Sequence, residues 1–377
     1  MITSTPGDVV LAACDIDKAE ALVPVAQAFI EQGYHVTVLL DKNQSAGTRG
    51  GLSFSEGCTV HLLDVGSGFP EGRLHLIREA AHVLVTLSPT TSGSTVETGV
   101  FNYRKLTLEK PIFGYSEVPC GHRAPAWDGT LAQFDKLFVA KKTDDISSLR
   151  NAVEVGMAIP EFDRERAAQT LKKLKCDRLV WYVGGPYEEA VLPLQYVIQA
   201  CRWVERTTDD KATIVFSRHS RDPKRPFSRQ LYQSAVDLAE FLDVPIIENS
   251  GGYTRDETTS KQLEVVVWYA DLFQACMLNG VIVTGHGTDG IKAPWCGIPS
   301  ILCVGSKLNP HIVVEKGCAV LPLPHGYPAQ VTELEEVESA VVEALTCDRE
   351  DFMGECREMY PLSERSPAQI IVETMLA

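Results

Sequence analysis

The chain has 377 residues, of which 45% are hydrophobic and 23% charged, an ordinary globular composition that excludes a disordered or fibrous protein. Its formal net charge is −15, which argues against a broad nucleic-acid or membrane surface but leaves room for a local basic pocket. At roughly 150 residues per domain, the length suggests about two domains. No run reaches the roughly 18 apolar residues of a membrane span. The opening MITSTPGDVVLAACDID lacks a basic leader region, so its apolar run reads as a buried strand. The eleven cysteines show no CxxC pair and no His/Cys cluster. They read as buried free thiols of a cytoplasmic protein, with no disulfide framework and no metal site.

In chain order, short apolar runs alternate with helical periodicity. Asp8–Ala13 reads as a strand, Lys18–Gln32 as a helix closed by Gly33, and His35–Leu40, Thr59–Leu63, His82–Leu87 and Pro111–Tyr115 as further strands. The pattern restarts at Arg178–Val183. A long helix follows over Ala190–Arg206, then strands at Ala212–Phe216, Val244–Ile247, Gly280–Thr284 and Ser300–Val304. Such β-α repetition implies α/β architecture: two Rossmann-like parallel-sheet domains in series. The expected division is 1–160, a linker at 161–177, a second domain at 178–362, and a helix at 363–377 returning to the first.

The turn after the first strand, Ala12-Ala13-Cys14-Asp15-Ile16-Asp17, has no glycine, so a dinucleotide is not expected there. Asp15 or Asp17 either caps the helix at Lys18 or presents a carboxylate at the active edge of the sheet. The loop Ser88–Thr95 is rich in hydroxyls and opens a helix near Val96. Ser94 and Glu97 fit an S-x-x-E capping box, while Ser92, Ser94 and Thr95 could also meet a substrate. His122, in PCGHRAPAW, is a base candidate or a plain loop residue.

In the second half, Gly184-Gly185 directly follows a strand and permits close backbone approach. Arg218 and His219 open the cationic run SRHSRDPKR after ATIVF, suited to a phosphate or simply solvated. The segment 280–304 reads strand, His286-Gly287-Thr288-Asp289-Gly290, short helix, Gly297-Ile298-Pro299, strand. A helix start there would cradle a diphosphate, with Asp289 an acidic neighbour that caps or binds a hydroxyl.

The run strand–GHGTDG–helix–GIP–strand resembles the donor-binding segment of GT-B glycosyltransferases. It also resembles the related non-hydrolysing sugar-nucleotide 2-epimerases and the polysialyl- and glycerophosphotransferase-like branch. IVFSRHSRDP and VGMAIPEFD resemble two further elements of that group in the same order, with Ser220 where proline is usual. The resemblance implies two domains facing a cleft. It also implies a metal-independent glycosyltransferase, without a cofactor, that uses a nucleotide-sugar donor and an unidentified acceptor. The donor would lie against Gly184, Gly185, Arg218, His219, His286, Gly287, Thr288 and Asp289, with Asp15, Glu97 or His122 as the base. A 2-epimerase on the same fold and a catalytically inactive binding subunit are the alternatives.

Overall fold

A computed structural model describes residues 7–14, 16–42, 54, 56–65, 69–87, 95–117, 127, 129–142, 146–184, 191–217, 229–249, 269–284, 288–303, 329–331, 333–359, 361 and 363–377. The chain divides into two compact units, Met1–Ala158 together with Leu362–Ala377, and Ile159–Pro361. Both are parallel α/β sheets.

In the first unit the strands are β1 (Asp8–Ala13), β2 (His35–Asp41), β3 (Cys58–Leu63), β4 (His82–Thr86), β5 (Phe113–Ser116), β6 (Lys136–Val139) and β7 (Ala152–Glu154). They lie in the order β3-β2-β1-β4-β5-β6-β7, every pairing parallel. The continuous apolar run of β1 follows from burial on both faces. Val9, Leu11 and Ala13 enter a core with Leu22, Val25 and Phe29 of α1 (Ile16–Glu31). Val10 and Ala12 enter the opposite core with Ile77 of α2 (Leu74–Glu79) and Val96, Val100 and Phe101 of α3 (Val96–Phe101). The helix Pro367–Leu376 belongs to this unit, and its Ile371, Val372 and Met375 join the α1 core.

A π-helical turn, Asn102–Thr107, follows α3 and carries Arg104 inward. Its guanidinium donates to the carbonyls of Ile77 (2.8 Å), Ala80 (3.0 Å), Ala81 (3.3 Å) and Pro111 (2.9 Å). A buried charge thereby satisfies the carbonyl end of α2 and the entry to β5.

The second unit has β8 (Arg178–Val183), β9 (Ala212–Ser217), β10 (Ile246–Asn249), β11 (Gly280–Thr284), β12 (Ser300–Cys303) and β13 (Ala329–Val331), ordered β10-β9-β8-β11-β12-β13 and all parallel. The segment expected as a linker at 161–177 instead carries α4 (Arg164–Leu174), which belongs to this unit. Asp163 caps it by accepting from the Arg166 amide at 3.0 Å. Ala167, Thr170, Leu171 and Leu174 are buried, and Leu171 and Leu174 share a core with Leu272, Phe273 and Cys276. Helical spacing of those apolar residues makes the segment core rather than connector.

The other helices of this unit are α5 (Leu194–Thr208), α6 (Arg229–Leu242), α7 (Tyr269–Asn279), α8 (Thr288–Lys292), α9 (Leu334–Thr346) and α10 (Arg349–Met359). Among the described residues no helix is long and apolar enough to cross a membrane. The nine described cysteines are free thiols. Burial pushes the thiols of Cys176, Cys296, Cys303 and Cys356 up to about 12, so they stay protonated near neutral pH.

Candidate active site

In the first sheet the strand order reverses between β1 and β4, and such a switch point opens a crevice at the carboxyl ends of the strands. Four side chains at that edge form two buried polar pairs. Lys18, in the first turn of α1, forms an ion pair with Glu117, which follows β5 directly. Both are almost fully buried, at 1% and 3% exposure. Glu97, on the first turn of α3, is fully buried, and its Oε1 accepts a hydrogen bond from Thr86 Oγ1 at 2.6 Å. Thr86 is the last residue of β4, and its hydroxyl also lies 3.3 Å from the Ala12 carbonyl of β1.

The local sequence explains each placement. Lys18 shares the inward face of α1 with Leu22, Val25 and Phe29, so its ammonium is carried under the sheet edge. Tyr115, one strand turn before Glu117, is fully buried, and burial followed by the Glu117 charge drives its phenol well above the usual range. Burying an ammonium and two carboxylates is costly even when they are paired, and a buried pair is often no better than an apolar one for stability. A group of such side chains at a crevice edge is a candidate for proton chemistry.

Glu97 is the one of the three base candidates that the described residues include; Asp15 and His122 lie outside them. The capping box expected from Ser94 and Glu97 is displaced by one residue. Thr95 is the N-cap, its Oγ1 accepting from the Thr98 amide at 3.2 Å while its own amide donates to Thr98 Oγ1 at 2.9 Å. Glu97 is thereby released from capping and points to Thr86. Ser92 and Ser94 lie outside the described residues.

Lys18, Glu117 and Thr86 were not singled out from sequence. The available signal was a lysine on the apolar stripe of a helix, in a first turn where acids suit the dipole better. The second was a glutamate with no spacer after the strand Phe113–Ser116.

In the second unit Gly184 follows β8, and its amide donates to the Ser217 carbonyl at 2.8 Å. A Cβ there would stand 3.2 Å from the Phe216 ring. The glycine thus provides close packing at the strand end, with its amide already engaged in the sheet. Trp181 Nε1 donates to Ser217 Oγ at 2.9 Å beside it. Helix α8 begins at Thr288 as the motif implies, with Asp289 in its first turn. Gly290 has a packing role: a Cβ would stand 2.6 Å from both Leu302 Cδ2 and Thr284 Cγ2, and its carbonyl accepts from Ser300 Oγ at 2.7 Å. Gly185, Arg218, His219, His286 and Gly287 lie outside the described residues. Among the described residues no group of three His, Cys, Asp or Glu could hold a metal.

No family model matches the sequence, and no curated protein matches it. Solved structures do match over nearly the whole chain. The UDP-GlcNAc 2-epimerase of Methanocaldococcus jannaschii, in complex with UDP-GlcNAc and UDP, aligns with a TM-score of 0.55 at 14% identity, covering 98% of this chain and 99% of that one. The UDP-N-acetylglucosamine 2-epimerase of Rickettsia bellii gives 0.56 at 13% identity, over 98% and 96%. MurG of Acinetobacter baumannii gives 0.53 at 10% identity, over 98% and 99%. With its two parallel sheets and these neighbours, the chain has the two-domain, Rossmann-like GT-B-type fold shared by sugar-nucleotide 2-epimerases and glycosyltransferases.

Proposed function

We propose that this chain is an enzyme acting on a nucleotide-activated sugar, and that it epimerises the sugar rather than transferring it. One observation carries the choice: Lys18, Glu117 and Glu97 are gathered, buried, at a single strand-end edge. Inverting a ring carbon requires a proton to leave one face and another to reach the opposite face, so it needs more than one proton-handling group. Transfer to an acceptor needs a single base. In this reading Glu97 and the Lys18–Glu117 pair handle the sugar. Gly185, Arg218, His219, His286, Gly287, Thr288 and Asp289 hold the nucleotide diphosphate through cations, close backbone and helix amides. The fold-level neighbour bound to UDP-GlcNAc and UDP makes a UDP-N-acetylhexosamine the first substrate to try.

The test is incubation with UDP-GlcNAc alone in D2O. Epimerisation moves one deuterium onto the ring with no acceptor present. A glycosyltransferase is the second reading, favoured by the mutual neutralisation of Lys18 and Glu117, which leaves Glu97 as a lone base. That activity would release UDP only when an acceptor is added. Absence of both reactions across a range of nucleotide sugars would leave a binding subunit.

A further inference from the structure

We infer that Thr86 is a positioning residue for Glu97, a hydroxyl that reverses its hydrogen bond as the buried carboxyl gains or loses a proton. A hydroxyl has one proton to give and two lone pairs to accept with. Thr86 Oγ1 has two acceptors in reach, Glu97 Oε1 at 2.6 Å and the Ala12 carbonyl at 3.3 Å. It can donate to one at a time.

With Glu97 ionised, the hydroxyl proton goes to Oε1, and 2.6 Å is the length of a charge-assisted O–H···O⁻ bond. With Glu97 protonated, the direction inverts. The carboxyl O–H donates to Thr86 Oγ1, and the Thr86 proton turns to the Ala12 carbonyl. One proton is added to Glu97, one hydrogen bond reverses and a second forms to the Ala12 carbonyl, and no buried donor on this path is orphaned in either state. An apolar residue at 86 would leave the carboxylate without that donor. β4 and β1 are paired in parallel, with Ala12 opposite Val85, so the sheet itself sets the spacing of Thr86 from the Ala12 carbonyl.

Other charges act on Glu97 as well. Among the described residues on elements packed with α3 or at the same strand ends, these are Asp41 at the end of β2, the Lys18–Glu117 pair, and, toward the opposite end of the strands or on the π-helical turn, Asp8, His35, His82, Tyr103, Arg104 and Lys105. None is altered by a change at residue 86, so a comparison of Thr86 variants isolates the hydroxyl.

The inference rests on the proposed function only for the identity of the proton's source, and the experiment separates the two. Glutamate side chains are labelled with 13C, the Glu97 resonance is assigned by its loss in Glu97→Gln, and its titration is followed in the wild type, Thr86→Ser and Thr86→Val. The expected result is a midpoint raised by at least about one pH unit, a tenfold rise in proton affinity, in Thr86→Val, and a near-wild-type midpoint in Thr86→Ser. Thr86→Ala serves the same purpose if the valine variant does not fold. An unchanged midpoint in the valine or alanine variant overturns the inference, whatever the enzyme acts on. Deuterium uptake by UDP-GlcNAc, measured on the same variants, should show kcat lowered with KM retained in Thr86→Val and restored in Thr86→Ser. A wild type without turnover would overturn the functional reading while leaving the titration to decide the role of Thr86.

Discussion

The carboxyl ends of the two sheets are built from different materials. At the first, the described residues bury an ion pair and a carboxylate held by a threonine. At the second, they present glycines tight against Phe216, Leu302 and Thr284, with a Trp181–Ser217 hydrogen bond. Charge under a sheet edge costs folding energy and has use as chemistry. Close-packed glycine lets backbone approach backbone or ligand. The comparison teaches that the first strand-end edge is held together by paired buried charge and the second by close packing around glycine.

The largest effect should come from breaking the ion pair. Lys18→Met leaves Glu117 buried and unpaired, and a loss of about 3–5 kcal/mol is expected in urea unfolding. The double variant Lys18→Met with Glu117→Leu should recover most of that loss. If the single and double variants are equally unstable, the cost lies in packing and not in the orphaned charge. Gly290→Ala tests the second edge. Its Cβ meets Leu302 and Thr284 at 2.6 Å, so overpacking of about 1–3 kcal/mol should appear. Unaltered stability would mean that α8 can lift off β11 and β12 freely. Trp181→Phe removes the hydrogen bond to Ser217 and should cost about 0.5–1.5 kcal/mol in the same assay.

How much of this contrast the sequence carried depends on whether the signal was periodic or positional. The strands β1, β2, β4, β8, β9, β11 and β12 show as apolar runs because both faces are buried. The strands β6, β7 and β13 form at sheet edges or next to them, and with Lys136, Glu154 and Gln330 within their three or four residues they make no apolar run. The GHGTDG segment was legible as a strand-to-helix turn, although Gly290 serves contact between α8 and the sheet. Glu97 was legible as one of three base candidates, and also for a cap that Thr95 and Thr98 make instead. Lys18 was hidden by its place in an apolar stripe. Glu117 was hidden because its partner stands 99 residues earlier in the chain, a pairing that only the sheet order creates.

The smallest effect is on pH dependence. His82 sits half-buried among Phe29, Tyr34 and Phe113, with ring centroids at 5.9–6.5 Å. Burial first, and then the Arg104 guanidinium, hold its imidazole below the usual value of 6.5. The unfolded chain therefore binds the proton more readily, so stability falls as pH drops below about 6.5 and is level above it. His82→Phe should flatten that acid slope by less than about 1 kcal/mol between pH 7 and 5. An unchanged slope would assign the acid sensitivity to other groups.

The most direct test of the central claim, that the buried charges of the first unit move protons on a nucleotide-bound sugar, is deuterium uptake by UDP-GlcNAc in D2O. It would be measured for the wild type, Glu97→Gln and Glu117→Gln, with folding and UDP affinity measured alongside. The account predicts uptake by the wild type without an acceptor, and a fall of about a hundredfold or more in each folded variant with UDP still bound. Wild-type uptake that persists in both variants would contradict it.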